Sequence, residues 1–371
     1  MRQSSNLRKL ASFLTVIMLP LASLAMKAGA QSAASAFNVD DMLDVVSVNV
    51  ADLSEDGRWV AVTAGTLRDR IGIDNHRFGD PTYIAPNAVE VLIIDTQTAK
   101  TQKLFPGKRQ VRGLRWSPDA SKLALFVIKG DRFEPAIWER ATGKMIDIKL
   151  PPGKQAADNA ELEWSPDGAS LLLALRGEGW RKKAAEQFQH ETNGPVVVHS
   201  SKEPFLAWDD LRRMSALRSL AAYDVKSGQT RELLPETKLN SYDLSDDGSF
   251  ISYQEDITKK TDYDVIFGSE NHIQVVPASG GAARTVIKST KGLTVTWSKD
   301  GRRYAYSKEG SVWIGSVDDK EPRQLIGKKP DEKDKPEASA DKTKDDAEKE
   351  RKEKEKERFT VVRLSPKEVG S

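Results

Sequence analysis

Short apolar runs, each launched by the same polar turn, recur along this 371-residue chain. The turns read Leu53-Ser-Glu-Asp-Gly57, Trp116-Ser-Pro-Asp-Ala120, Trp164-Ser-Pro-Asp-Gly168, Leu244-Ser-Asp-Asp-Gly248, Trp297-Ser-Lys-Asp-Gly301 and a blurred Leu364-Ser-Pro-Lys367. After the first five, mostly apolar runs occupy 59–64, 123–128, 171–175, 250–254 and 304–307. Second runs follow at 91–95, 137–140, 220–224, 273–276 and 312–316, and turns of small or polar residues lead into third ones. With the strand entering each turn, this predicts four antiparallel strands per unit. The runs after the turns are near-continuous rather than alternating, as in a sheet covered on both faces.

A repeat of this size decides the fold class. The anchor serines stand 63, 48, 80, 53 and 67 residues apart. The shortest intervals approach the roughly 40–50 residues of a four-stranded propeller blade, and the longer ones carry insertions. The expectation is an all-β propeller with five recognisable blades and the start of a sixth, an incomplete ring whose open sheet edges favour association. Within each anchor, Ser accepts a backbone hydrogen bond, Pro118 and Pro166 preset φ, and Gly takes the position where φ turns positive. Ala120 departs from that rule at a cost of about 1 kcal/mol if its φ is positive. Trp116, Trp164 and Trp297 read as blade-to-blade packing.

Strand parity places the anchor turn and the third turn of a blade on one side, and the second turn and the link to the next blade on the other. Every long insertion falls in the second set: 65–90, 177–219, 255–272 and the link 327–358. One side should therefore be plain and the other should carry the irregular sequence. Within the link, residues 328–358 hold 12 basic and 12 acidic residues, a composition that predicts a disordered or solvated helical spacer.

At the N-terminus, Arg2, Arg8 and Lys9 precede a 16-residue apolar stretch, 10–25, followed by Ala28-Gly29-Ala30. This is the pattern of a secretory signal peptide cleaved after Ala30, and it predicts a periplasmic or secreted protein. The alternative, an uncleaved anchor, needs about 20 apolar residues. The chain contains no cysteine, which excludes disulfides, thiolate metal sites and a thiol nucleophile. A net charge of +2 gives no electrostatic reason to expect nucleic acid or an anionic membrane as partner.

Catalytic patterns are missing. No Gly-x-Ser-x-Gly elbow occurs, the nearest approach being Gly168-Ala-Ser-Leu-Leu172, and there is no P-loop, dinucleotide fingerprint or zinc motif. His76, His190, His199 and His272 are unpaired in spacing and all fall in the insertions. No catalytic residue, cofactor or metal is expected. Candidate substrate or partner contacts are Phe205, Trp208, Asp209, Arg212 and Arg213 in the second insertion, where aromatics stand beside charges. The alternative there is a subdomain that packs Phe205, Leu206 and Trp208 onto the propeller rim.

These anchors resemble the propeller repeats of the prolyl oligopeptidase family and of TolB-like periplasmic propellers, over most of residues 38–371. Asp40-Asp41-Met42-Leu43, leading into the first anchor, resembles the opening of secreted dipeptidyl-aminopeptidase or acylaminoacyl-peptidase-like members, as does the insertion 203–213. In that family the propeller covers an α/β-hydrolase domain carrying Ser, Asp and His and filters substrates by size. The resemblance implies a non-catalytic, substrate-gating propeller of a serine peptidase whose catalytic domain is absent here, since a hydrolase needs roughly 200 further residues. No triad position carries over, and the adjacent glutamates with which dipeptidyl peptidases hold a substrate amine have no counterpart. The alternative is a stand-alone TolB-like propeller that binds a periplasmic protein or a glycan.

Overall fold

In the computed structural model, four-stranded antiparallel units follow one another along the chain, each built on a Ser-x-Asp turn. The residues described are 37–157, 161–193, 200, 202–261, 268–298 and 300–327. The sequence-predicted signal peptide, the charged stretch 328–358 and the sixth anchor lie outside them.

The first blade comprises β1 (Ser47–Leu53), β2 (Trp59–Gly65), β3 (Glu90–Asp95) and β4 (Thr101–Lys103). The second holds β5 (Val111–Trp116), β6 (Lys122–Lys129), β7 (Arg132–Glu139) and β8 (Met145–Asp147). In the third, β9 (Lys154–Ala156) and β10 (Glu163–Trp164) both pair with β11 (Ser170–Gly177), followed by β12 (Leu217–Asp224). Then β13 (Gln229–Leu244) pairs with β12 and, through its second half, with β14 (Phe250–Asp256). The fourth blade goes on through β15 (Asn271–Pro277) and β16 (Arg284–Ile287). The fifth is β17 (Thr294–Trp297), β18 (Arg303–Lys308), β19 (Ser311–Ser316) and β20 (Arg323–Ile326). This is the all-β, four-stranded-blade architecture of a propeller.

One junction departs from the expected pattern. The third and fourth blades share β13, an unbroken strand of 16 residues, where a link was expected. No glycine separates Leu234 from Leu239, so nothing in the local sequence turns the chain. Pro235 sits where the β12–β13 register slips, a position that needs no ladder N–H.

The anchors close as their residue types require. Ser54 Oγ donates to Asp56 Oδ1 at 2.5 Å and accepts the Trp59 N–H at 2.8 Å, while Asp56 Oδ1 takes the Arg58 N–H at 3.0 Å. The same triangle recurs at Ser117, Ser165, Ser245 and Ser298. Gly57, Gly168, Gly248 and Gly301 all have φ of 67–68°, and Ala120, at φ 54°, carries the strain that a Cβ brings there. Successive anchors lie side by side. A Cβ at Gly168 would meet Pro118 at 3.7 Å, one at Gly248 would meet Pro166 at 3.1 Å, and one at Gly301 would meet the Ser245 backbone at 3.5 Å.

The near-continuous apolar runs are explained by four seams. Leu123 and Leu125 point into a core shared with Ala61, Val91 and Ile93 of the first blade. Their neighbours Ala124 and Phe126 point the other way, into a core with Leu171, Leu173 and Leu175 of the third. Leu172, Leu220 and Leu234 meet Ile251, Tyr253 and Val276 at the third seam, and Ile273 and Ile287 meet Tyr304 and Tyr306 at the fourth. Each large side chain fully buried this way stabilises the fold by roughly 1.5–3 kcal/mol. Trp116 and Trp164 are buried in these cores and Trp297 packs against the last one. Trp164 also donates its Nε1–H to the Arg115 carbonyl of the preceding blade at 3.0 Å.

The described chain divides into two compact units. The smaller holds residues 37–45 with 66–68. In it Asn38 caps α1 (Val39–Leu43) through a reciprocal capping box with Asp41, and Arg68 binds Asp44 at 2.6 Å and Asp40 at 2.9 Å. The blades from Val46 to Gly65 and from Asp69 onward form the larger unit.

Candidate functional site

All three internal insertions join the second and third strands of their blades: β2 to β3, β11 to β12 and β14 to β15. They therefore leave from the edge opposite the anchors. In the second and fifth blades the same connection is a tight turn at Gly130 and at Gly310.

The second insertion folds as two helices, α2 (Trp180–Thr192) and α3 (Ala207–Ala216). Trp180, Ala184, Phe188 and Glu191 recur at helical spacing on α2 and are its buried stripe. Trp180 donates its Nε1–H to the Met214 carbonyl at 2.9 Å, and the Arg176 guanidinium lies 3.7 Å above its ring. Arg181 reaches the Thr82 carbonyl of the first insertion at 2.7 Å. Trp208 lies against Gly79, also of the first insertion. A Cβ there would stand 2.6 Å from the indole, so this φ of +87° and this contact both demand glycine. The indole meets Phe188 edge-on at 6.2 Å and remains 54% exposed.

The charged candidates turn inward. Asp209 accepts from Arg212 Nη2 at 2.5 Å, from Arg213 Nε at 3.3 Å and from the Thr261 hydroxyl at 3.0 Å. Burial pushes the Asp209 carboxyl up, but Arg212, Arg213 and Thr261 outweigh it and hold the group below its ordinary value. Arg213 also pairs with Asp256 at the end of β14, and its guanidinium lies 4.3 Å above the Phe205 ring. Thr261 N–H donates to the Pro204 carbonyl at 2.7 Å. The second insertion is thus tied to the first and the third at once. Arg213 is buried, and its Nη2 has no hydrogen-bond partner among the described residues.

Beside this network a pocket of about 250 Å³ opens between α2, α3 and β13. Phe205, Met214 and Leu217 give it apolar walls, and Asp210, Arg213 and Lys238 give it charge. The Asp210 carboxyl is raised by burial and by Asp209 and Glu191 nearby. The arrangement suits a ligand that presents polar groups beside an apolar side chain.

Of the five sequence-predicted contacts, Phe205 and Arg213 line the pocket, Asp209 and Arg212 form the ion network, and Trp208 bridges to the first insertion. The sequence reading missed Asp256, Thr261 and Gly79, which lie in other insertions and carry no local signal. It also missed α2, which the Trp180, Ala184, Phe188 spacing could have revealed. Contrary to expectation, His272 is not a loop residue: it lies in β15 opposite Glu255, because that strand starts two residues earlier than its apolar run. His76 is in a short turn and His190 on α2, while His199 lies outside the described residues. Among the described residues, no cluster of three or more His, Cys, Asp or Glu is arranged to hold a metal ion. No helix among them is long and apolar enough to cross a membrane.

No family model and no curated protein matches this chain. Solved structures of similar fold include an oligogalacturonate lyase from Vibrio parahaemolyticus, with 14% identity over 76% of this chain and 66% of that one and a TM-score of 0.46. A putative TolB from Agrobacterium tumefaciens shares 13% over 76% of this chain and 80% of that one, with a TM-score of 0.39. An acylaminoacyl peptidase from Pyrococcus horikoshii shares 11% over 75% of this chain and 39% of that one, with a TM-score of 0.43. The chain thus spans just under two thirds of the lyase and about two fifths of the peptidase. At such identities and scores the likeness concerns the course of the backbone and says nothing of chemistry. TolB-like and peptidase propellers, the two kinds that the anchors resemble, are both among the structural neighbours.

Proposed function

We propose that this chain is the substrate-recognition propeller of an exported peptidase of the prolyl oligopeptidase type. It has no reactive centre of its own and works with an α/β-hydrolase domain supplied outside these residues. That domain would transfer the acyl group of a peptide to serine and then to water, and the propeller would decide which chains reach it.

The observation that carries this reading is the gathering of three separate insertions at one edge of the blades, tied by the Arg213–Asp256, Asp209–Thr261 and Arg181–Thr82 contacts. A buried ion pair and hydrogen bonds between loops distant in sequence fix a surface in one geometry, which recognition needs and a plain scaffold does not. Phe205 and the pocket beside it are the proposed contacts for an apolar peptide side chain.

The test is twofold. Reading the coding sequence past Ser371, in frame and in the shifted frames, should reveal a Gly-x-Ser-x-Gly segment; its absence would turn the assignment to a stand-alone TolB-like propeller that binds a protein or a glycan. The purified chain from residue 31 should leave a chromogenic peptide amide intact. Turnover blocked by a serine-directed inhibitor would overturn the claim that it lacks a reactive centre.

A further inference from the structure

The pocket between α2, α3 and β13 holds two charges of opposite sign that the fold leaves unused. Asp210, Arg213, Met214 and Leu217 recur at spacings of three and four, so one face of α3 and the residue after it form a wall roughly 10 Å long. Asp210 stands at one end of that wall and Met214 lies between the ends. At the other end Leu217 is paired with Lys238 of β13, which lines the same pocket, and Phe205 adds further apolar surface.

The other polar groups of the pocket are spent within the protein. Arg213 is taken by Asp209 and Asp256, its remaining nitrogen, Nη2, is shut off from solvent, and Gln187 donates to Glu191 at 2.7 Å. By contrast, the Asp210 carboxylate and the Lys238 ammonium are half-buried with no hydrogen-bond or ion-pair partner among the described residues. They line one cavity yet form no ion pair with each other. A charge withdrawn from water without a partner is costly. Burial, with Asp209 and Glu191 nearby, raises the Asp210 carboxyl in spite of Arg213. A bound group of opposite sign would relieve each of the two.

The geometry points to a site for a short zwitterion with an apolar side chain, one or two amino-acid residues long: Asp210 takes its ammonium, Lys238 its carboxylate, and Phe205, Met214 and Leu217 its side chain. Opposite charges across the pocket fix which way round the ligand lies. Only a molecule with both ends free meets both charges, so the interior of a long chain does not qualify. The volume of about 250 Å³ also falls below the roughly 300–1,000 Å³ of pockets that take drug-sized ligands. This inference rests on the reading of the pocket as the recognition site, but it needs no hydrolase domain.

Isothermal titration calorimetry of the full chain with leucine, alanyl-leucine and their blocked forms tests it. At least one of the two free ligands should bind saturably at millimolar concentration or below, and the tighter of them gives the length. Acetylating the amine, or converting the carboxylate to an amide, should each weaken binding at least roughly tenfold. Asp210→Asn should lose the discrimination against the acetylated forms and keep that against the amides; Lys238→Met should do the reverse. Should either variant fail to fold, the ligand series on the wild-type chain decides alone. Leucine blocked at both ends binding as tightly as leucine would overturn the zwitterion and leave the apolar contact for a peptide side chain standing. No saturable binding of either free ligand, or folded variants that keep the wild-type pattern, would overturn it as well. Absence of a hydrolase segment downstream would count only against the peptidase assignment.

Discussion

Replacing Arg213 by Met should cost more than any other single change in the insertions. Arg213 is buried, pairs with Asp209 at 3.3 Å and with Asp256, and covers Phe205. Met keeps much of the stem volume but leaves the carboxylates behind. Asp209 still has Arg212 and the Thr261 hydroxyl. Asp256 is less fortunate: among the described residues it keeps only the Thr258 N–H, at 2.8 Å, with its side chain 2% exposed. An uncompensated charge in such a place costs about 3–5 kcal/mol. Arg213→Met/Asp256→Asn removes that charge, so the double variant should be more stable than the single Arg213→Met. A double-mutant cycle by urea unfolding should give a coupling energy of about 2–3 kcal/mol. Single-variant losses that add within about 0.5 kcal/mol would refute the claim that this pair is coupled in the fold.

Two further outcomes follow from the anchors. Gly57→Ala meets nothing within 4 Å, so its cost is the left-handed φ alone, about 1 kcal/mol; Gly248→Ala has the same φ but also presses on Pro166 at 3.1 Å and should lose roughly 1 kcal/mol more, as thermal unfolding of both variants would show. The anchor carboxyls Asp56, Asp167 and Asp300 are held low mainly by hydrogen bonds from Ser54, Ser165 and Ser298, and Asp119 is held down to about 2 against its burial by Ser117 and Ser121. A depressed carboxyl stabilises the fold above its unfolded value of 3.8 and loses that contribution as the pH falls through the folded value, so urea midpoints should drop between pH 4 and 2. A flat acid limb would show that these hydrogen bonds persist in the unfolded chain.

The blades were legible because their determinants are local and repeated. Ser, Asp and Gly at fixed offsets specify the turn, and a run such as Leu123, Ala124, Leu125, Phe126 declares two covered faces, which the structure resolves into two different seams. Parity then placed the three insertions on one edge. What the sequence hid was non-local. Nothing near Arg213 announces Asp256, 43 residues away, and Gly79 is one of 25 glycines until Trp208 is seen against it. The aromatic and charged residues of 205–213 stand out in the sequence, but their arrangement does not. Most of their charge is spent on one another, and Phe205 and Arg213 reach the pocket from within that network.

The unbroken β13 changes how the middle of this molecule must assemble. Elsewhere a repeat can form its own sheet and then dock. Here one stretch of backbone completes the ladder of its predecessor with 229–238 and begins that of its successor with 239–244, so a single strand fixes how the two sheets stand in sequence. A proteolytic nick or a grafted peptide at 235–238 would therefore cost the Leu217–Lys238 and Arg218–Thr237 pairs and uncouple two neighbouring repeats, while leaving 229–234 on β12 and 239–244 on β14.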